Sequence, residues 1–283
     1  MKSAHHSELR LDRQSFLGEE SDLVLRRSRV GIVGLGGGGS HIAQQLGHLG
    51  VGEFVLIDPD IVEDTNLNRL VGATQQDVAN RASKVSVAER VIGGVNPSAQ
   101  IWTGTSQWQM CAAALRSCDV IFGCVDSISE REQLETAARR YAIPYLDLGM
   151  DVHCVGDGFV VGGQVALSMP EGPCLRCMGI VDDRSLALEA QKYGAAGGRP
   201  QVVWPNGVLA ALAVGLFVQL ITPWAKIQDL PILLEYDGNA QTVLPSNKLA
   251  YLKEHLCKHF ADLSSVGDPF WKPLEAWKRM ACG

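Results

Sequence analysis

The sequence holds no long uninterrupted apolar stretch, no excess of basic charge, few aromatics and a single closely spaced cysteine pair. Each shortage excludes something. The longest apolar run is Val208–Ile221, with Gln219 inside it. It falls short of the roughly 20 residues that a bilayer-spanning helix needs, so it predicts a buried core helix and no membrane. Residues 1–28 are dense in charge and lack the apolar stretch of a secretory leader, which predicts a cytoplasmic protein. Lys and Arg number 25 against 31 Asp and Glu, a formal net charge of −6 that speaks against nucleic acid as a partner. With 46% hydrophobic and 20% charged residues, extensive disorder is excluded and a sizeable core is expected. The eight cysteines are expected to be reduced thiols.

What the sequence does have is alternation. Arg29–Val33 is a short β-branched run, Ser40–Leu49 has helical spacing, and Phe54–Ile57 is a second apolar run. Together they predict strand, glycine turn, helix and strand. Helices follow at 83–92, 110–117 and 129–141, with strands at 100–103, 119–124 and 145–148. This implies an α/β fold with a doubly wound, mostly parallel sheet covered on both faces. After Gly149 the pattern changes. Residues 159–167 predict an antiparallel or edge strand, 182–198 a polar and then glycine-rich crossing loop, 205–221 a helix, and 232–236 and 241–244 two more strands. The expected organisation is an arm over 1–28, a nucleotide-binding domain over 29–245 with an antiparallel C-terminal extension, and a Trp-bearing tail over 246–283.

Thirty glycines are present, and six fall between Gly31 and Gly39. Gly34, Gly36 and Gly39 fit the G-x-G-x-x-G spacing, with Gly37 inside it. The first glycine permits a tight turn, the second lets backbone approach a phosphate, and the third allows close helix–strand contact. The helix N-terminus that follows offers amide donors to an anion. Asp58 ends the next strand, where a ribose-binding acid belongs. A nucleotide is the expected ligand, and Asp58 alone does not say which one.

The residues that decide come next: Asp60, then Asn66-Leu-Asn68-Arg69, Lys84 at a helix start, and Asp126 at a strand end. With Arg13-Gln14, the glycine turn, Pro173-Cys-Leu-Arg-Cys177 and Gly207-Val208, the chain closely resembles the ThiF/MoeB/HesA family of adenylating enzymes, related to ubiquitin-activating enzymes. The matching pieces run in family order across about residues 10–245. The resemblance implies a Rossmann-like fold and ATP with Mg²⁺. It implies that Gly34, Gly36, Gly37, Gly39, Asp58, Asp60 and Asn66 form the nucleotide pocket. Arg69 and Lys84 would neutralise the phosphates and Asp126 would hold Mg²⁺. Arg13 would reach the ATP of the other subunit of a homodimer. The partner implied is a small ubiquitin-like, β-grasp protein whose C-terminal glycine carboxylate attacks the α-phosphate. A tRNA-acting adenylating dehydratase of the same family and a non-catalytic nucleotide-binding scaffold stand as alternatives, and a dehydrogenase is a distant fourth.

Two departures from the family pattern matter. Relatives often bind structural zinc through two Cys-x-x-Cys pairs, whereas here only Cys174 and Cys177 form one. Cys257 and His259 would complete a variant Zn²⁺ set; the alternative is a turn whose thiols are simply buried. Relatives that form a thioester or persulfide carry a cysteine in the crossing loop. No cysteine lies between Cys177 and Cys257, so covalent thiol chemistry from that loop is excluded; either the acyl-adenylate passes directly to a partner's thiol or amine, or another cysteine such as Cys111, Cys118, Cys154 or Cys282 acts from a mobile segment. The glycines at 194–198 would then form or flank the channel for the partner's tail.

Overall fold

The computed structural model describes residues 10–191, 200–225, 230, 232–252 and 257–260. A 3-10 helix at Asp12–Leu17 and helix α1 (Ser21–Arg27) precede β1 (Arg29–Val33). Then come α2 (Gly37–Leu49), β2 (Glu53–Ile57), a 3-10 turn at Asp64–Asn66, α3 (Gln75–Ala79), α4 (Lys84–Val95) and β3 (Gln100–Gly104). The second half of the wound sheet comprises α5 (Trp108–Leu115), β4 (Val120–Gly123), α6 (Ile128–Arg140) and β5 (Tyr145–Val155). It is followed by β6 (Gly158–Ser168), α7 (Asp183–Gln191), α8 (Val203–Ile221), β7 (Leu233–Asp237), β8 (Thr242–Pro245) and α9 (Leu249–Leu252).

The eight strands form one sheet in the order β3-β2-β1-β4-β5-β6-β7-β8. Pairing is parallel from β3 through β5 and antiparallel from β5 to β8. Strand alternation sends side chains to two cores. Val30, Ile32, Phe54, Leu56, Phe122 and Leu146 meet α2 and α8 on one face. Val33, Val55, Ile57, Ile121 and Tyr145 meet α5 and α6 on the other. Burial of each such Leu, Ile or Phe contributes about 1.5–3 kcal/mol. Chain order reverses between β1 and β4, so the crevice at their carboxyl ends is the expected ligand site.

Three segments differ from the sequence reading. The crossing stretch begins with nine helical residues, α7, before any loop. None of them is buried, so no apolar stripe announced the helix. Strand β5 runs on to Val155, because its outer half pairs with β6 in an antiparallel hairpin that leaves its tip exposed. Helix α8 starts at Val203, with Pro205 in its first turn, where a missing N–H costs nothing. The helix has 19 residues and is apolar enough to cross a membrane by length and composition. Its packing against α2, β5 and β6 makes it a core helix here. Residues 194–198 and the tail with Trp271 and Trp277 lie outside the described residues.

Candidate nucleotide site

A cavity of about 360 Å³ opens at the β1/β4 crevice, a size that suits a small-molecule ligand. Its floor is the glycine turn. Gly34 has φ +87°, a left-handed conformation that L side chains rarely adopt. A Cβ on Gly39 would lie 1.9 Å from the Gly34 carbonyl oxygen, so this glycine serves helix–strand contact and does not line the cavity. Gly36 has open space around its Cα and, with Gly37 and Gly38, faces the cavity. The first N–H groups of α2 therefore point at any anion placed there.

Asp58 is nearly fully buried. Its Oδ2 accepts from the Leu35 N–H at 2.6 Å and its Oδ1 from the Asp60 N–H at 2.9 Å. Burial pushes its carboxyl above the ordinary range, against the pull of Lys84 and these two donors. So Asp58 ties the glycine turn to the strand that ends beside it, and it lines the cavity. Lys84 Nζ sits 2.7 Å from Asp60 Oδ2 and 4.0 Å from Asp58 Oδ1. Lys84 and Asp60 thus form an ion pair on the rim. Asn66 is buried, and its Oδ1 accepts from the Glu63 N–H at 3.0 Å, which shapes the turn that delivers Arg69. Arg69 NH1 donates to the Thr65 carbonyl at 2.7 Å and to Asn68 Oδ1 at 3.0 Å. Among the described residues no carboxylate neutralises it. Asp126 is exposed at the end of β4, and its Oδ1 accepts from Gln201 Nε2 at 3.2 Å. An exposed carboxylate oxygen on the cavity's lining is the donor type that Mg²⁺ selects.

The structure adds residues that the sequence reading missed. Arg131 lines the cavity and ion-pairs with the fully buried Asp147 at 3.3 Å. Its other nitrogens donate to the Val125 and Leu148 carbonyls, and the Tyr145 hydroxyl donates to Asp147 at 3.1 Å. This network clamps the turn that bears Asp126. Glu130 also lines the cavity; burial pushes its carboxyl up, with Glu189, Asp126 and Asp60 adding to the shift. Asn206 and Gln201 close the α8 side. Arg131 lies one turn into α6, whose N-terminal cap is Ser127. Gln201 and Asn206 carry no sequence signal, because only the fold brings them to the glycine turn.

Arg13 is exposed on the 3-10 helix and does not line this cavity. Its neighbour Gln14 donates to the Leu49 carbonyl, at the far end of α2. Cys124 lines the cavity, whereas Cys118 lies ahead of β4, at the opposite end of the sheet. Burial pushes the Cys118 thiol up to about 12, and burial raises Cys124 as well.

Away from the cavity, Cys174, Cys177, Cys257 and His259 converge, with their ligand atoms all within 4.8 Å of one another. Cys174 Sγ and Cys177 Sγ are 3.6 Å apart, as are Cys177 Sγ and Cys257 Sγ, and His259 Nδ1 is 3.4 Å from both Cys174 and Cys177. A disulfide would need about 2.05 Å. A tetrahedron of thiolates about 2.3 Å from a central zinc has S–S edges of about 3.7 Å. The donor set therefore fits a tetrahedral ion.

These features are matched elsewhere. The model of the ThiF family matches residues 10–259, most of the chain. The chain belongs to the ThiF family. Relatives include the SAMP-activating enzyme E1 of Haloferax volcanii, 32% identical over 164 residues, which are 57% of this chain and 57% of that protein. The sulfur carrier protein ThiS adenylyltransferase of Escherichia coli is 29% identical over 230 residues, 78% of this chain and 85% of that one. The chain thus spans little more than half of the archaeal relative. The crystal structure of E. coli MccB with ATP superposes with a TM-score of 0.69 at 20% identity, covering 84% of this chain and 71% of that one. The ThiF fold expected from the sequence, with its antiparallel extension, is therefore the fold observed.

Proposed function

We propose that this ThiF-family chain is an ATP-dependent adenylyltransferase acting on the C-terminal glycine of a small ubiquitin-like or sulfur-carrier protein. One observation carries the reading. The glycine-turn amides, Arg69, Lys84 and Asp126 converge on one cavity at the switch point. Bringing a carboxylate to a polyphosphate requires charge neutralisation at the phosphates, which a hydride-transfer site has no use for. Asp58 orients the nucleotide's ribose at the strand end, and the α2 amides hold its phosphates. Arg69 neutralises charge developing as the carboxylate oxygen bonds to the α-phosphorus and the bond to pyrophosphate breaks. Lys84, steered by Asp60, does the same. Mg²⁺ held at Asp126 would screen the phosphates and assist pyrophosphate departure. Glycyl-AMP on the partner protein and pyrophosphate are the products. With the crossing stretch free of cysteine, the acyl-adenylate passes directly to an acceptor's thiol or amine. The exposed Arg13 serves the second subunit's site in a homodimer.

The test is ATP–pyrophosphate exchange with a panel of Gly-terminated β-grasp proteins. Exchange that depends on one partner's terminal glycine is expected. Tight MgATP binding without exchange across the panel, together with tRNA-stimulated AMP formation, would move the assignment to the dehydratase branch.

We also propose that Cys174, Cys177, Cys257 and His259 hold one structural Zn²⁺. Elemental analysis should find one zinc per chain, and His259→Ala should release it at lower chelator concentration. Metal-free protein of unchanged thermal stability would refute the assignment.

A further inference from the structure

Asn206 has no part in the chemistry derived above, yet it is a deeply buried amide on the lining of the nucleotide cavity. It lies near the start of α8, is only 6% exposed, and lines the cavity together with Gly36, Gly37 and Gly38. A Cβ on Gly37 would lie 2.5 Å from Asn206 Nδ2, 2.7 Å from its Cγ and 3.0 Å from its Oδ1. The amide therefore packs directly on the Gly37 backbone with its nitrogen closest, and glycine is the residue that makes room for it. Nδ2 donates to the Val202 carbonyl at 2.9 Å, which settles which end of the amide is nitrogen. The second Nδ2 hydrogen and Oδ1 have no hydrogen-bond partner among the described residues. The helix start that carries Asn206 is keyed to α2 a second time. The His41 ring lies over Gly207, where a Cβ would meet its nearest carbon at 3.3 Å, and His41 is hydrogen-bonded to the Val203 backbone.

A purely structural asparagine in this place would cap α2. That helix begins at Gly37 behind Gly36 and has no side-chain cap, so its first N–H groups are left without partners. Among the described residues Asn206 Oδ1 accepts from none of them. The amide instead adds its own N–H to a group of N–H donors. Buried donors gathered without an acceptor are unfavourable in an empty site, and they are what an anion requires. We propose that Asn206 is a further nucleotide-contacting residue, whose free Nδ2 hydrogen bonds a phosphate oxygen held at the α2 amides. The inference rests on the reading of the cavity as an ATP site. Asn206 contributes a directed donor and no charge, so it fixes where the phosphate sits while Arg69 and Lys84 supply the neutralisation.

A phosphate contact and a structural role differ in which ligands they affect. The experiment is calorimetric titration of the full chain with two ligands. One is α,β-methylene-ATP with Mg²⁺, which binds without transferring its adenylyl group. The other is adenosine, which has the same base and ribose and no phosphate. Asn206→Leu, of similar size and unable to donate, is expected to weaken the analogue about ten- to a hundredfold, the range for one hydrogen bond to a charged group, and to leave adenosine within about twofold of the parent. Asn206→Ala makes the same comparison without the bulk of leucine against Gly37. Asn206→Asp sets a negative charge beside the phosphates and is expected to weaken the analogue further than Asn206→Leu, again sparing adenosine. Equal losses for both ligands in Asn206→Leu and Asn206→Ala would show that the amide only shapes the site, and would overturn the contact. Analogue affinities of both variants within about twofold of the parent would overturn it as well. The two levels separate in the parent protein. A parent that binds neither ligand removes the nucleotide reading itself, whereas a parent that binds the analogue tightly beside unaltered variants removes the Asn206 contact alone.

Discussion

Replacing Arg69 with alanine should lower ATP–pyrophosphate exchange by about a hundredfold to a thousandfold, the loss seen when one charge-stabilising donor is removed from a water-poor site. The two cations of the cavity are not equivalent. Lys84 is already engaged at 2.7 Å by Asp60 and lies 4.0 Å from Asp58. Among the described residues Arg69 bonds only to a backbone carbonyl and to the Asn68 amide oxygen, and both are neutral. Its charge is therefore the one left over for phosphate. Because the charge on the transferring group grows only as the reaction proceeds, the loss should fall on kcat more than on KM. Arg69→Lys should recover part of the rate, since it keeps the charge and loses the planar fork. Folding stability should move by less than about 0.5 kcal/mol, as for other partly exposed positions. An exchange rate in Arg69→Ala within about threefold of the parent would contradict the role given to this residue, on the scale of a single stabilising donor.

Much of this site was legible because a parallel sheet puts its chemistry at strand ends. Val33, Ile57 and Gly123 close their strands within a residue or so of Gly34, Asp58 and Cys124, so a strand pattern read from β-branched runs also locates the cavity. The glycine spacing specified a close approach, and the fold uses it as such at Gly39. What could not be read is what comes from across the fold. Gln201 and Asn206 reach the cavity only because α8 packs against α2, a contact between segments more than 150 residues apart. The same limit applies to polar pairing. Sequence placed Lys84 and Asp60 in the site without indicating that they bond to each other. Helix α7 was hidden for a different reason: an exposed helix tied down by Glu189 and by Arg176–Asp183 has no apolar stripe to betray it. Cys257 and His259 were legible as a pair of metal-type residues, and their meeting with Cys174 and Cys177 is a tertiary fact.

Arg139→Leu should cost about 3–5 kcal/mol of folding stability, the range for removing one partner of a buried ion pair. Arg139 is 9% exposed and Glu135 1%. The guanidinium donates to Ser168 Oγ at 2.7 Å and 3.0 Å, and to the Pro170, Gly172 and Pro173 carbonyls at 2.9–3.0 Å. Glu135 Oε1 accepts from Ser168 Oγ at 2.5 Å and from the Leu175 N–H at 2.9 Å. Those partners form the turn that leads into Cys174 and Cys177, and Arg139 also lies 4.8 Å over the Phe260 ring, next to His259. The pair is thus the pedestal of the Cys/His cluster, and its loss should loosen metal as well as lower Tm. The defect should depend on pH with a defined sign. Burial already raises the Glu135 carboxyl, while Ser168, Arg139 and Leu175 pull it down. Without Arg139 the folded-state pKa rises further above that of the unfolded chain. The folded variant then binds a proton more tightly than the unfolded one, so acidification through that folded pKa favours folding. The deficit relative to the parent should be largest near pH ~8 and shrink toward pH ~5, in urea melts at both values. Combining Glu135→Leu with Arg139→Leu should recover part of the loss and remove the pH dependence, because no charge is then left buried. A single variant within about 1 kcal/mol of the parent at both pH values would mean that the pair is not what holds the turn.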